Sequence, residues 1–229
     1  MLPLLFLTCT KKQVPVTSLN ADLQYYPTTI GKFVVYDVDS IVYTGIPRDT
    51  IIYSYRIREK LADSYTDNTG RPAIRLERSV KMFNSSFSYD SIPWTVKEVW
   101  MVNADQQKIQ VMESNVRFTK LVFPVLVNQS WNGNASNTMD PWTYHYEYIN
   151  QAETINGKSM DKVLLVSQKK DSSAIVYHNY SEKYAAGIGL VYREMTELYS
   201  NKVVINVPVT SRIENGFIYR QTFVTFGYE

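Results

Sequence analysis

A strict alternation of apolar and polar side chains constrains the fold of this chain more than any other feature of its sequence. The alternation is cleanest in Ile51–Leu61 and returns in Ala73–Phe83, after the polar turn Asp67–Gly70. Successive side chains of a strand point to opposite faces, so a period of two predicts an antiparallel hairpin here. The predicted inward residues are Ile51, Tyr53, Tyr55, Ile57, Leu61, Ile74, Leu76, Val80 and Met82.

Continuous strand–turn–strand patterning, without a linker after residue 30, predicts an all-β fold with minor helix. We expect a single, strongly curved antiparallel sheet over residues 31–229, half-open and barrel-like. Short helices are predicted only at Ser181–Ala186 and Leu19–Leu23. The further predicted strands are Lys32–Tyr43, Trp94–Val102, Lys108–Met112, Val116–Val127, Thr143–Ile149, Val163–Ser167, Ala174–Tyr177, Tyr184–Glu194, Val203–Val207 and Ile218–Phe226.

The N-terminus carries the pattern of a bacterial lipoprotein signal. Residues 1–8 are apolar up to Thr8, Cys9 is the single cysteine, and the chain turns polar directly after it. In such a signal the peptidase cuts before the cysteine, whose thiol receives a lipid, and the resulting three acyl chains suffice for stable anchoring. We therefore expect residues 1–8 to be the remnant of a signal peptide and residues 9–30 a lipidated tether. The alternative is a buried or frayed segment with an incidental cysteine.

Composition and charge exclude several classes of protein. Lys and Arg number 24 against 22 Asp and Glu, and they are scattered, which argues against nucleic-acid binding. Hydrophobic residues make up 45% of the chain, enough for a substantial core. No segment reaches the roughly 18 apolar residues of a transmembrane helix.

The sequence contains no recognisable catalytic or metal-binding constellation. Its two histidines, His145 and His178, are too few for a zinc site without cysteine partners. Acidic residues in the turn at Asp63–Asn68 do not follow the calcium-loop pattern, and turn chemistry alone accounts for them. We expect no metal, no cofactor and no enzymatic activity.

An excess of aromatic residues is the remaining signal that bears on binding. Tyr144, Tyr146 and Tyr148 share one face of a predicted strand, and Trp131 lies in the turn-rich loop before it. These four side chains are predicted either to belong to the core or to line a groove for an apolar ligand.

Two glycines mark the late segment Tyr184–Glu194. The alternation predicts that three residues point to one face, with Gly187, Gly189 and Arg193 between them: Ile188, Leu190 and Tyr192. A glycine inside a strand lowers stability by about 0.5–1 kcal/mol relative to alanine, which suggests an offsetting contact. We therefore expect a central strand with an aromatic ring over at least one glycine; Trp131 is the first candidate and a tyrosine of the Tyr144 face the second.

Three stretches, Lys120–Asn134, Tyr184–Glu194 and Asp67–Arg78, together with Cys9, resemble a group of uncharacterised Bacteroidota-type outer-membrane lipoproteins. More distantly, the curved sheet is similar to the half-open barrels of lipoprotein-localisation factors, which shelter acyl chains. The resemblance implies a protein of the outer membrane, on its periplasmic or surface face.

Two functions remain open. The first is a non-enzymatic binding or accessory subunit of an outer-membrane complex, attached to the membrane through the lipid on Cys9. The alternative is a carrier that holds a lipid or another hydrophobic ligand in the concave face of the sheet. A carrier would need an interior cavity of roughly 300–1,000 Å³.

Overall fold

The computed structural model describes residues 22–45 and 49–229, which form one twelve-stranded antiparallel sheet. The sheet curves until it nearly closes into a barrel, with one seam between its edge strands. The predicted all-β, strongly curved fold is therefore confirmed. Single 3₁₀ turns occur at Leu23–Tyr25, Tyr89–Ser91 and Val209–Ser211. The strands are β1 Lys32–Thr44, β2 Thr50–Thr66, β3 Pro72–Met82, β4 Thr95–Ala104, β5 Lys108–Glu113, β6 Val116–Val122, β7 Ser130–Asn132, β8 Thr143–Ile155, β9 Lys158–Ser172, β10 Val176–Ala185, β11 Gly189–Tyr199 and β12 Asn215–Tyr228.

The sheet follows the chain almost throughout, in the order β6-β5-β4-β3-β2-β1-β12-β11-β10-β9-β8-β7. Side chains do most of the bridging across the seam between β6 and β7. Thr119 N donates to Gly133 O at 2.8 Å, and Trp131 Nε1 donates to Thr119 O at 2.9 Å. The Tyr146 hydroxyl accepts from Val122 N at 3.0 Å and donates to Val122 O at 2.7 Å. These bonds satisfy backbone groups that an edge strand would otherwise leave unpaired.

The barrel has two different rims. Turns 105–107, 156–157 and 186–188 lie at one rim, and residues 22–30 cross it. Gly187 N donates to Gln24 O at 2.9 Å, and the hydroxyl of the buried Tyr25 donates to Asn150 Oδ1 at 2.7 Å. We call this end the plugged rim. The opposite end, where β1–β2, β3–β4, β5–β6, β9–β10 and β11–β12 connect, is the open rim.

Segment 22–30, predicted to be part of the tether, therefore packs into the barrel. The hydrophobic core fills the half of the barrel beneath the plugged rim; its fully buried members include Tyr36, Val102, Ile109, Leu121 and Tyr184. The described part of the chain contains no helix with the length and hydropathy of a membrane-spanning segment. Cys9 and residues 1–8 lie outside the described residues.

The prediction of one strand through both glycines is wrong. Strand β10 ends at Ala185, residues 186–188 form a turn, and β11 begins at Gly189. Gly187 has φ +77° and Gly189 φ +100°, values that L side chains rarely adopt. Their role is to turn the chain between two strands.

The predicted aromatic ring over one of these glycines is also wrong. A Cβ atom at Gly187 would meet nothing within 4 Å, and one at Gly189 would meet only Pro27. The ring-over-glycine contact occurs elsewhere, because a Cβ atom at Gly133 would lie 2.3 Å from Tyr144 Cζ.

Two other predicted elements differ from the structure. Ser181–Ala186, predicted as a helix, lies almost entirely in β10, where pairing with β9 and β11 determines its conformation. Val203–Val207, predicted as a strand, belongs to the connection between β11 and β12 and has no partner strand. Strand propensity without a partner does not produce a strand.

Candidate ligand-binding cavity

Charged side chains from seven strands meet inside the barrel, between the hydrophobic core and the open rim. Each strand contributes one residue to this interior ionic cluster. The members are Glu59 of β2, Arg78 of β3, Glu98 of β4, Glu113 of β5, Lys120 of β6, Glu182 of β10 and Arg193 of β11.

Two cations and two anions form the deeper part of the cluster. Lys120 Nζ lies 2.9 Å from both Glu113 Oε1 and Glu182 Oε1. Arg193 Nη2 donates to Glu113 Oε1 at 2.9 Å. Arg193 Nε lies 2.8 Å from Glu182 Oε1, but without the geometry of a hydrogen bond. The second oxygen of Glu182 accepts from the Tyr184 hydroxyl at 2.6 Å.

The adjacent cations keep these buried carboxylates ionised. Burial alone would raise the pKa of Glu182, but Lys120 and Arg193 outweigh it and hold the pKa below the ordinary glutamate value. Burial likewise opposes ionisation of Glu113, and the same two cations lower its pKa. Both carboxylates therefore carry a charge at neutral pH.

Arg78 organises the outer part of the cluster. Its Nε donates to Glu59 Oε1 at 3.0 Å and its Nη1 to Glu98 Oε2 at 2.9 Å. The guanidinium carbon lies 3.8 Å from the centre of the Trp100 ring, and that of Arg193 lies 5.8 Å from it. Trp100 therefore makes cation–π contacts with two arginines of the cluster.

A β-bulge places Arg193 inside the barrel, contrary to the face predicted for it. Leu190 pairs with Tyr184 and Tyr192 with Lys183, so Val191 has no partner. A bulged residue shifts the alternation by one position. Leu190 and Arg193 consequently share the interior, whereas a regular strand would have placed them on opposite faces.

A cavity of about 860 Å³ lies between the ionic cluster and the open rim. Its floor is formed by Arg78, Glu98, Trp100, Glu113 and Arg193. Its wall is mainly apolar and includes Ile57, Val80, Met82, Phe83, Ile92, Pro93 and Met195. The barrel thus offers a mainly apolar space that is open at the rim and has charged groups at its inner end.

The aromatic residues named from the sequence do not line this cavity. The rings of Trp131 and Tyr146 lie 4.7 Å apart between centroids, and those of Trp131 and Tyr144 lie 6.0 Å apart. Tyr144 and Tyr146 are buried core residues, and Trp131 packs against that core. Tyr148 is half-buried, and its hydroxyl donates to Glu153. Of the two predicted roles, these aromatics have the core role.

The histidines and the acidic turn are accounted for by local contacts. His178 Nδ1 lies 2.6 Å from Asp171 Oδ1 at the open rim, and His145 pairs with Ser130 in the register of β7 and β8. Asp67 Oδ1 accepts from the backbone N–H groups of two following residues, as turn chemistry predicts. Within residues 22–45 and 49–229, no group of three His, Cys, Asp or Glu side chains could hold a metal ion.

The ionic cluster was not predicted, although the sequence contains a signal for it. Glu59 stands in phase with the inward Ile57 and Leu61, and Arg78 stands in phase with Leu76 and Val80. A charged residue at an inward position of an alternating strand must find a partner inside the barrel. Two such positions of opposite charge on paired strands predict an interior ion pair.

Comparison with known proteins gives a likeness in fold alone. No protein-family model and no curated protein matches the chain. One solved structure, a "putative lipoprotein" from Parabacteroides distasonis, is 9% identical with TM-score 0.40, over 89% of this chain and 98% of its own. Another, a "putative outer membrane lipoprotein-sorting protein domain" from Vibrio parahaemolyticus, is 7% identical with TM-score 0.24. The match covers 92% of this chain and 89% of that chain. This chain is similar in fold to those two structures.

Proposed function

We propose that this chain is a non-enzymatic binding protein of the cell envelope, which carries a hydrophobic or amphipathic ligand in the barrel cavity. The cavity supports the proposal. Its volume of about 860 Å³ lies within the range of small-molecule sites. Its apolar wall and its few polar groups at one end also have the composition typical of such sites.

Attachment to the outer membrane through a lipid on Cys9 is part of the proposal. The apolar segment before Cys9 supports it. Metabolic labelling with a palmitate analogue tests it: the native chain should take up the label, and the Cys9→Ala variant should take up none. Label on the variant would contradict the anchor, whatever the cavity binds.

A pair of matched variants tests the cavity. Val80 of β3 lines it opposite Ile57, so Val80→Trp should fill part of the space. Val99 of β4 is exposed outside the cavity, so Val99→Trp adds the same ring without narrowing it. Native mass spectrometry of the full chain, with Cys9→Ala for solubility without detergent, should show a bound small molecule. We expect Val80→Trp to lose that ligand and Val99→Trp to retain it.

The proposal would be wrong if the protein carried no ligand and took up none from added amphiphiles. It would also be wrong if both tryptophan variants bound equally well, because the cavity would then not be the binding site. Melting temperatures of the two variants, measured in parallel, separate loss of binding from loss of folding.

A second function, that of an accessory subunit in an outer-membrane complex, is favoured by a different observation. The open rim exposes large apolar side chains, among them Phe83, Phe87 and Ile205, and Ile205 is 86% accessible. Large apolar side chains exposed at one end of a protein favour a contact with a partner there. Mild detergent extraction and size-exclusion chromatography distinguish the functions: a carrier should elute alone, and an accessory subunit with a fixed protein partner.

A further inference from the structure

We infer that the open rim docks on a lipid surface and inserts apolar segments among the acyl chains, so that the cavity opens toward the bilayer that supplies its ligand. The inference rests on the proposed function and names the source of the ligand. It assigns the contact to four segments of the open rim, and most directly to Ile205.

These four segments, which we call the apolar tips, lie where strands connect at the open rim. They are residues 50–55 at the start of β2, 83–88 after β3, 172–176 between β9 and β10, and 203–207 between β11 and β12. None of the four contains a charged residue. Their exposed large apolar side chains are Ile51, Ile52, Tyr53, Phe83, Phe87, Ile175, Val203, Val204 and Ile205. Apolar side chains exposed together at one end of a protein favour contact with another surface there.

The tip at 203–207 is held in a fixed shape that displays its apolar residues. Val207 N donates to Val204 O at 3.2 Å, which closes a turn with Ile205 inside it. Arg212 fastens the base of this turn, because its Nε donates to Val207 O at 3.0 Å and its other two nitrogens donate to further backbone carbonyls. Backbone groups that already have partners can approach lipid without leaving hydrogen bonds unmade. The tip is therefore built to present Ile205 to an apolar medium.

Charged residues flank the apolar tips and carry both signs. In the described part of the chain, the exposed charged residues within two positions of a tip are Lys170, Lys202, Asp49, Asp90 and Asp171. Zwitterionic phospholipid head groups also carry both signs, so they complement this layer while the tips reach the acyl chains. A flank of one sign would instead favour anionic lipid or a protein of opposite charge.

The apolar surface is continuous from the tips into the cavity. Met82 and Phe83 line the cavity, and their exposed fractions are 54% and 61%. Ile92 and Pro93, in the same connection as Phe87, line the cavity as well. An acyl chain that leaves a bilayer at this rim would therefore remain in apolar contact on its way into the cavity. This continuity favours lipid over protein as the surface that covers the tips.

Vesicle flotation tests the inference with the full chain carrying Cys9→Ala, which removes the proposed anchor. The protein should float with vesicles of palmitoyl-oleoyl phosphatidylcholine, and adding phosphatidylglycerol should hardly change its affinity. Ile205→Asp should weaken binding by at least about tenfold, because one large apolar side chain no longer enters the lipid. Leu126→Asp is the matched control, since Leu126 is similarly apolar and exposed but follows β6 at the plugged rim; it should bind as the parent does.

A single thiol reports which end of the barrel inserts. Cys9 is the only cysteine, so Ile205→Cys in the Cys9→Ala chain offers one site for the environment-sensitive dye nitrobenzoxadiazole. The dye emission should shift to shorter wavelength when vesicles are added. The same dye at Leu126→Cys should show no shift.

The inference would be overturned by a protein that does not float, by Ile205→Asp that binds as tightly as the parent, or by equal dye shifts at both positions. A dimer that depends on Ile205 in sedimentation velocity, or a fixed protein partner lost in Ile205→Asp, would also overturn it, because that occupant would then cover the tips. Native mass spectrometry separates these failures from failure of the proposed function. A ligand bound in the parent protein shows that the cavity works even if no vesicle binds, whereas a cavity that takes up no ligand contradicts the function itself.

Discussion

Lys120 Nζ lies 2.9 Å from Glu182 Oε1 in the interior of the barrel, and neither side chain is more than 5% exposed. The two residues are distant in sequence and lie on β6 and β10, strands that are not paired with each other. The pair thus joins two strands that are not neighbours in the sheet. Its burial makes each partner dependent on the other, because a buried charge without a partner is strongly destabilising.

Lys120→Met should therefore lower the free energy of unfolding by about 3–5 kcal/mol, as expected when a buried pair loses one partner. Urea denaturation followed by tryptophan fluorescence measures the change. Arg75→Met is the control, because Arg75 pairs with Asp63 and Glu77 on the solvent-exposed outer face, where ion pairs contribute little to stability. Equal effects of the two substitutions would show that the interior pair is not important for stability.

The ionic cluster should also make stability fall in acid. The folded-state pKa of Glu182 lies below its ordinary value of 4.5, so ionised Glu182 stabilises the fold above that pH. The contribution is lost as the pH falls below 4.5 toward the folded-state pKa. Urea midpoints from pH 6 to pH 2.5 should show this decline, and it should be shallower in Glu182→Gln. If stability fell equally steeply with decreasing pH in Glu182→Gln, Glu182 would not be the group responsible for the decline.

Gly133→Ala should destabilise the protein by about 1–3 kcal/mol through overpacking. A Cβ atom there would lie 2.3 Å from Tyr144 Cζ, so the ring would have to move. Gly187→Ala provides a contrast, since a Cβ atom at Gly187 meets nothing within 4 Å and only its φ of +77° opposes alanine. Adding Tyr144→Leu should reduce the loss of stability caused by Gly133→Ala but not the loss caused by Gly187→Ala. A double-mutant cycle of thermal unfolding measures both effects.

Tyr146→Phe should weaken the seam of the barrel. Without the hydroxyl, Val122 loses the partner of both its backbone N–H and its C=O, which should lower stability by about 1–3 kcal/mol. Hydrogen exchange of the Val122 amide should accelerate. Tyr65→Phe, at an exposed tyrosine, should change neither quantity. Unaltered exchange at Val122 would mean that the seam is held by other contacts.

Alternation sufficed to predict the sheet but not the position of its irregularities. Tyr55, Ile57 and Leu61 face the interior as predicted, because β2 is regular there. The bulge at Val191 reverses the phase of the residues that follow, and its position depends on pairing with β10. Such pairing is not visible in a single strand, so the interior position of Arg193 could not be predicted from its own segment.

The cavity could not be predicted from the sequence either. Its wall and floor come from β2, β3, β4, β5, β11 and β12, and the alternation does not show which inward faces pack together and which leave a gap. Trp131 and Tyr144 were predicted to lie in the core or to line a ligand groove, since large aromatic rings are common in both cores and binding sites. Here those rings pack together, while the floor of the cavity contains Trp100, a residue the sequence analysis assigned only to a strand.

The plugged rim and the cavity mouth lie at opposite ends of the barrel. Segment 22–30 enters the barrel at the end opposite the cavity mouth, so the chain that leads back to Cys9 leaves from the closed side. Fully extended, the stretch from Cys9 to Asp22 spans at most about 45 Å. If Cys9 is held in the bilayer, as proposed, the membrane attachment belongs to the plugged rim, and the cavity mouth is the end of the barrel that carries no attachment. Cargo would then enter and leave at the unattached end.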